Sequence, residues 1–271
     1  MKQLEWTIAT SAAVLAALAV VNPLEAQQER FNTELALDVQ TPSIVDVTED
    51  GRWLAVTLRA RSGRLDTNHD RFGDPTYVGP SLLAAMVIDT RSGERRWLHE
   101  EPAQVSDFDF SPDGERLAYL LFDGSDFSLR VHDVGSGDTR TVALRSDRPI
   151  ASSSPLVWTP DGEHVLLTLR PDGWAERAQE AFYSLTDAPV IVQDSRNDFL
   201  AWDAVRNIAN EQITALVSID DGTVREILDD VVPQDVGFSS DGDRMTDSTA
   251  VRTATSYTRR DGTDYGLYAL D

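Results

Sequence analysis

Phe108-Asp109-Phe110-Ser111-Pro112-Asp113-Gly114-Glu115-Arg116-Leu117-Ala118-Tyr119 is the stretch on which the fold turns. It starts with apolar residues flanking one polar residue, passes through Ser-Pro-Asp-Gly, and runs out into an apolar segment. Proline suits the first central position of a tight turn, and glycine supplies the positive φ that such a turn needs. The segment therefore reads as strand, turn, strand. The same pattern recurs three times. Val45 to Val56 carries Thr-Glu-Asp50-Gly51, Leu156 to Leu167 carries Thr-Pro-Asp161-Gly162, and Val236 to Met245 carries Ser-Ser-Asp241-Gly242.

A second hairpin signal follows each first one. It is an apolar strand ending in Asp, with a small polar turn after it: Met86 to Asp89 with Gly93, Leu129 to Asp133 with Gly137, and Leu216 to Asp220 with Gly222. Leu267 to Asp271 repeats the strand without the turn. Two hairpins per unit predict a four-stranded antiparallel sheet, and serial sheets of that kind are the blades of a β-propeller. The expected fold is all-β: three complete blades and one truncated blade, at about 41–102, 103–148, 149–230 and 231–271. The missing last strand suggests an N-terminal portion of a longer protein. From first Asp to second Asp the units span 39, 20, 59 and 30 residues. Blade two is thus minimal, and the others carry insertions between their second and third strands. Loops inserted on one face of a repeat array are where binding residues concentrate.

Acidic residues number 46 against 24 Lys and Arg, a net charge of −22. That surface repels nucleic acid and anionic headgroups. No cysteine is present, which removes disulfides and thiolate chemistry together. Ile8 to Val21 is an uncharged, mostly apolar run of signal-peptide length, ended by Pro23 and Ala26. The expectation is a signal peptide over 1–26, a linker over 27–40, and a bacterial periplasmic or secreted product with no membrane insertion after cleavage.

The Ser-Pro-Asp-Gly-x-x-Leu-Ala step of residues 111–118, with the Asp-x-x-Ser-Gly-Glu turn of Asp89 to Glu94, resembles the propellers of prolyl oligopeptidase-family serine peptidases, the dipeptidyl-peptidase-IV-like branch included. It resembles TolB-like propellers second. The resemblance runs from Thr41 to Asp271. The peptidase resemblance implies an α/β-hydrolase domain beyond this chain, with the propeller as substrate gate and scaffold, and a peptide substrate or that hydrolase domain as partner. The TolB resemblance implies a periplasmic protein-binding propeller with no enzymatic activity. No Gly-x-Ser-x-Gly elbow occurs, nor the Asp-Trp-x-Tyr-Glu-Glu segment of the dipeptidyl branch, so no residue is expected to be catalytic. A lyase or glycan-binding propeller has no residue pattern in its favour.

The insertions hold the candidate site residues. In blade one, Asp66, Asn68 and Asp70 have the every-second-residue oxygen spacing of a calcium loop, with Asp74 four residues further on, against Arg71 where such a loop wants glycine and Tyr77 where it wants glutamate. No other cofactor is expected. Tyr77 sits on a turn-rich loop that can face a substrate or a neighbouring domain. In blade three, Trp174 to Tyr183 has apolar residues near helical spacing and reads as a short amphipathic helix, and Pro189 to Val192 as a strand. Trp174, Trp202, Asp203 and Arg206 are the substrate or domain-interface candidates there. Trp53, Trp97 and Trp158 are read as core between blades.

Overall fold

The computed structural model describes residues 32–187, 194, 196, 199–229, 233–251 and 262–270. The expected signal peptide and the strand at Pro189 to Val192 lie outside these residues. The chain divides after Val39. Before the division, the described residues form helix α1 (Thr33–Asp38), capped by Asn32, whose side chain accepts from the Leu35 N–H at 2.8 Å.

From Gln40 onward the strands fall into four antiparallel sheets in chain order. Sheet one is β1 (Gln40–Val47), β2 (Trp53–Ala60), β3 (Ala84–Asp89) and β4 (Arg95–Trp97). Sheet two is β5 (Gln104–Phe110), β6 (Arg116–Phe122), β7 (Phe127–Asp133) and β8 (Thr139–Val142). Sheet three is β9 (Val157–Trp158), β10 (His164–Leu169), β11 (Ile213–Ser218) and β12 (Val224–Leu228). The fourth sheet has three strands among the described residues: β13 (Gln234–Phe238), β14 (Arg244–Val251) and β15 (Gly262–Ala269).

One turn chemistry makes the first hairpin four times. A hydroxyl donates to the Asp two residues on: Thr48 to Asp50, Ser111 to Asp113, Thr159 to Asp161 and Ser239 to Asp241. Each Asp then accepts the N–H two residues further, at Arg52, Glu115, Glu163 and Asp243. The glycines take φ of 66°, 70°, 69° and 78° and donate back to the Thr or Ser carbonyl. A side chain with Cβ is strained at that φ, which is why Gly follows Asp each time. The N–H of Arg52 and the Thr48 hydroxyl hold Asp50 below the usual carboxylate range.

The second turn corrects the repeat spacing. Trp53, Arg116, His164 and Arg244 pair with Asp89, Asp133, Ser218 and Ala269. Gly93, Gly137 and Gly222 donate to the carbonyls of Asp89, Asp133 and Ser218. The third-unit counterpart of Asp89 is therefore Ser218, not Asp220, and the fourth is Ala269, not Asp271. The turn after β11 keeps an Asp, shifted to Asp221, which accepts from the Thr223 N–H at 3.0 Å.

Both faces of the middle sheets are buried, so their second strands read as unbroken apolar runs rather than alternating ones. Leu117 and Tyr119 of β6 pack toward sheet one, with Trp53, Ala85 and Val87. Ala118 and Leu120 point the other way and join Val165, Leu167 and Ala215 of sheet three. Leu166 and Leu216 turn to Met245 of sheet four. Fully burying one leucine contributes about 2 kcal/mol. Trp53 and Trp158 lie in these interfaces, as expected. Trp97 does not: on the short outer strand β4 it is 52% exposed.

The first strands of consecutive sheets lie together, β1 against β5 and β5 against β9. Carboxylates tie them. Asp46 Oδ2 accepts from the Phe110 N–H at 2.6 Å, and Asp109 Oδ2, one repeat later, accepts from the Trp158 N–H at 2.8 Å. The Trp158 indole N–H closes a second bond on the Asp109 carbonyl at 2.8 Å. The corresponding residue of β9 is Val157, which has no carboxylate to offer sheet four.

Candidate functional site

The blade-one insertion is a loop that satisfies its own polar groups. Asn68 Oδ1 accepts from the Asp70 N–H at 3.0 Å and caps a single 3₁₀ turn, His69–Arg71. Arg71 Nε donates to Asp74 Oδ2 at 2.8 Å, and its Nη2 lies 2.7 Å from the same oxygen. The N–H and hydroxyl of Thr76 both donate to Asp74 Oδ1 at 2.8 Å. Asp74 is buried and fully engaged by these donors. Tyr77 faces inward: its hydroxyl accepts from the Asn68 N–H at 2.7 Å, and its ring lies under Arg71 at 4.8 Å. Asp66, Asn68 and Asp70 are exposed. Among the described residues, the acidic and histidine side chains that gather closely enough to share an ion are Asp161, Glu163 and His164, not these. What the loop presents outward is Phe72, 85% exposed.

The blade-three insertion contains two helices, α2 (Trp174–Thr186) and α3 (Ala201–Ala209). The first is three residues longer at its C-terminal end than its sequence pattern suggests. The second was not expected as a helix at all. Trp174, Ala178 and Phe182, four residues apart, form the buried stripe of α2. The Trp174 indole N–H donates to the Ile208 carbonyl at 2.7 Å, fixing α2 to the last turn of α3. Arg170 stacks on the Trp174 ring at 3.9 Å and donates to the Ala209 and Glu211 carbonyls at 2.7 and 3.0 Å. It thus supplies a cation to the C-terminal end of α3, where the helix leaves carbonyls unpaired. Burial lowers Arg170 to about 10, so it stays charged at neutral pH. Phe182 meets Trp202 edge-on at 6.2 Å.

The two insertions meet. A Cβ on Gly73, whose φ is +86°, would stand 3.2 Å from the Trp202 ring. Around that contact Phe72, Gly73, Trp202, Val205, Arg206 and Ala209 line an open crevice of about 410 Å³. Its floor is apolar. At its rim stands Arg206, its side chain 65% exposed and its Nη1 3.2 Å from Asp203 Oδ1; Asp203 is 6% exposed.

Of the sequence candidates, Trp202 and Arg206 therefore reach the crevice and Asp203 backs Arg206. Trp174 lies in the helix-helix core, and Tyr77 braces the loop. Phe72, Gly73, Val205 and Ala209 were not anticipated. Residues 202, 205, 206 and 209 have the i, i+3, i+4, i+7 spacing of one helix face, which is the signal that finds them.

Two histidines have structural surroundings. His132 is buried in sheet two with Nδ1 2.9 Å from the Thr139 hydroxyl, and burial lowers its pKa. His99 Nε2 lies 3.1 Å from the hydroxyl of buried Tyr119, which burial pushes up to about 12. Asp109, in its clasp, is pushed up to about 7, by burial first and then by nearby Asp46, against the Trp158 N–H.

No protein-family model matches the chain. A stretch of 50 residues, 18% of the chain, is 44% identical to the Tol-Pal system protein TolB of Chromobacterium violaceum and spans 11% of that protein. The fold is similar to that of an acylaminoacyl peptidase solved with Z-Gly-Gly-Phe-chloromethyl ketone, with a TM-score of 0.52 and 14% identity over 89% of this chain and 33% of the peptidase. It is also similar to an oligogalacturonate lyase from Vibrio parahaemolyticus, with a TM-score of 0.50 and 10% identity over 82% of this chain and 49% of the lyase. The chain thus spans half or less of the length of each of these proteins. At 14% and 10% identity, these two likenesses show a shared fold.

Proposed function

We propose that this chain is the non-catalytic, peptide-gating propeller portion of an exported serine peptidase whose hydrolase domain is carried on the rest of the protein. The observation that carries the reading is the meeting of the two longest insertions, Gly73 against Trp202, around an open apolar crevice beside the sheets. A structural module has no need to hold Phe72 in water on a loop locked by Asp74 and Tyr77. Supporting it are the fold shared with a peptidase of which this chain covers 33%, and the absence of a nucleophile elbow from the 271 residues. Export is supported by the apolar Ile8 to Val21 run, and N-terminal sequencing of secreted protein should then begin at Gln27.

The test is fluorescence anisotropy with labelled unstructured peptides, alongside a nitroanilide hydrolysis assay. The chain should bind peptides and release no nitroaniline. Hydrolysis by the chain itself would overturn the proposal. A second reading, a TolB-like module for folded protein partners, draws on the 50-residue TolB match. On that reading the chain binds none of the peptides.

A further inference from the structure

The crevice between the blade-one loop and α3 has the size, shape and charge of a site for one particular end of a peptide. We infer that it takes a C-terminal residue with a large apolar side chain: the ring or branched chain sits between Phe72 and Trp202, and the free α-carboxylate pairs with Arg206. This deepens the peptide-gating reading above and rests on it.

Three observations lead there. The first is volume. About 410 Å³ accommodates one or two large side chains, whereas a stable protein docking face buries about 800 Å² on each partner. The second is charge. On a chain of net charge −22, the rim offers a guanidinium, so the group it meets is an anion. Asp203, almost fully buried on the preceding turn of α3, engages Nη1, while the Arg206 side chain as a whole stays 65% exposed. An Arg fork matches a carboxylate in geometry as well as in sign.

The third observation is spacing. Trp202 and Arg206 are one turn apart on the same helix, with Cβ atoms separated by roughly 5–6 Å. A terminal residue carries its carboxylate and its side chain on the same Cα, so one residue spans that gap. An Asp or Glu next to an aromatic residue does not. In an extended peptide, successive side chains point to opposite faces, so the acidic group would turn away from Arg206. The geometry therefore favours the chain terminus over an internal acidic-aromatic pair.

The site is prebuilt on both sides. Phe72 is held out by the Arg71–Asp74–Thr76 bonds, and Trp202 is held by Phe182 and the crowded Gly73. Rigid aromatic walls cost little ordering entropy on binding.

The test is calorimetric titration of the full 271-residue chain with acetyl-Ala-Ala-Phe as free acid, the same peptide as C-terminal amide, acetyl-Ala-Asp-Phe amide, and 3-phenylpropionate as a non-peptide probe. The free acid should bind at least tenfold more tightly than either amide. Arg206→Gln should bring the acid down to the amide's affinity. Phe72→Ser should weaken every ligand with an unchanged melting curve, because that ring packs on nothing the fold needs. Equal affinity for acid and amide, or an acid affinity indifferent to both substitutions, overturns the inference. If peptides bind but ignore Phe72 and Arg206, the peptide-gating reading stands and this site falls. If 3-phenylpropionate binds through Arg206 while no peptide binds, the crevice takes a small carboxylate instead, and both the inference and the peptide-gating reading fall. Binding of none of the four overturns the inference.

Discussion

Gly73 and Asp109 show how much single residues decide here. Gly73 has a φ of +86° and the Trp202 ring at its back. Gly73→Ala adds backbone strain of about 1 kcal/mol or more and sets a Cβ 3.2 Å from the Trp202 ring, tight enough that the ring must give by a few tenths of an ångström. It should lower the melting temperature and push the blade-one loop off α3, and ligand titration should show a weakened crevice. Asp109 makes stability depend on pH. Its folded pKa, about 7, lies above the ordinary 3.8, so between those values the native state keeps a proton that the unfolded chain releases. The contribution is complete below about pH 4 and is lost as pH rises through about 7. Asp107 is shifted in the same direction, while Asp123 and Asp221, near 2, act only in acid. His99 and His132, lowered by burial, take up protons on unfolding and oppose this below about pH 6.5, so the test is comparative: from pH 5 to pH 8 the denaturant midpoint of Asp109→Asn should fall less steeply, or rise more steeply, than that of the parent chain. An unchanged slope in that variant contradicts the assignment. None of this was readable beforehand. The Asp-Gly turns announced themselves by residue type, whereas the role of Asp109 comes from a contact with a strand 49 residues later.

At the scale of elements, local patterns were legible where local chemistry sets the structure. Thr or Ser, then Asp-Gly, gives the first hairpin each time, because hydroxyl, carboxylate and glycine φ close it within six residues. The blade-three insertion was only half legible. Its first helix showed as a stripe of Trp174, Ala178 and Phe182. The second is obscured because Ala201–Ala209 spans only nine residues and its N-cap, Leu200, offers no capping side chain. The marker at Asp220 misled because its neighbour Asp221 makes the turn bond and Ser218 holds the strand register. Trp174 joins the two helices. Trp174→Ala removes a buried ring and the bond to Ile208, and should cost about 3–5 kcal/mol if the unit unfolds as a whole. If the insertion opens by itself, hydrogen exchange should instead rise across α2 and α3 while β10 and β11 stay protected. Either result is diagnostic: a Trp174→Ala protein with wild-type stability and wild-type exchange would mean that α2 does not support α3.

At the scale of the molecule, stability is a series of sheet-to-sheet interfaces, as in other repeat folds. The series is uneven. The interface between sheets two and three buries Leu120, Leu129, Val165 and Leu167 and is clasped by Asp109. Among the described residues, that between sheets three and four buries Leu166, Leu216 and Met245, with Val236, Phe238 and Tyr268 partly buried against them, and has Val157 where a clasp would be. Amides of β13 and β14 should therefore exchange before those of β6 and β10. Leu120→Ala should cost about 3 kcal/mol, while Tyr265→Ser, at a ring 83% exposed, should change stability by less than about 0.5 kcal/mol. Sheet number and order were legible in the repeat. The meeting of two insertions more than a hundred residues apart was not, because no local pattern encodes a contact between separate blades. That meeting is what turns a stack of sheets into a candidate binding module. Equilibrium dialysis of the 271-residue chain against a mixture of unstructured peptides, with both compartments read by mass spectrometry, tests it most directly. Peptides should collect on the protein side and remain intact; peptides that distribute evenly, or that return cleaved, would contradict a binding role for the crevice.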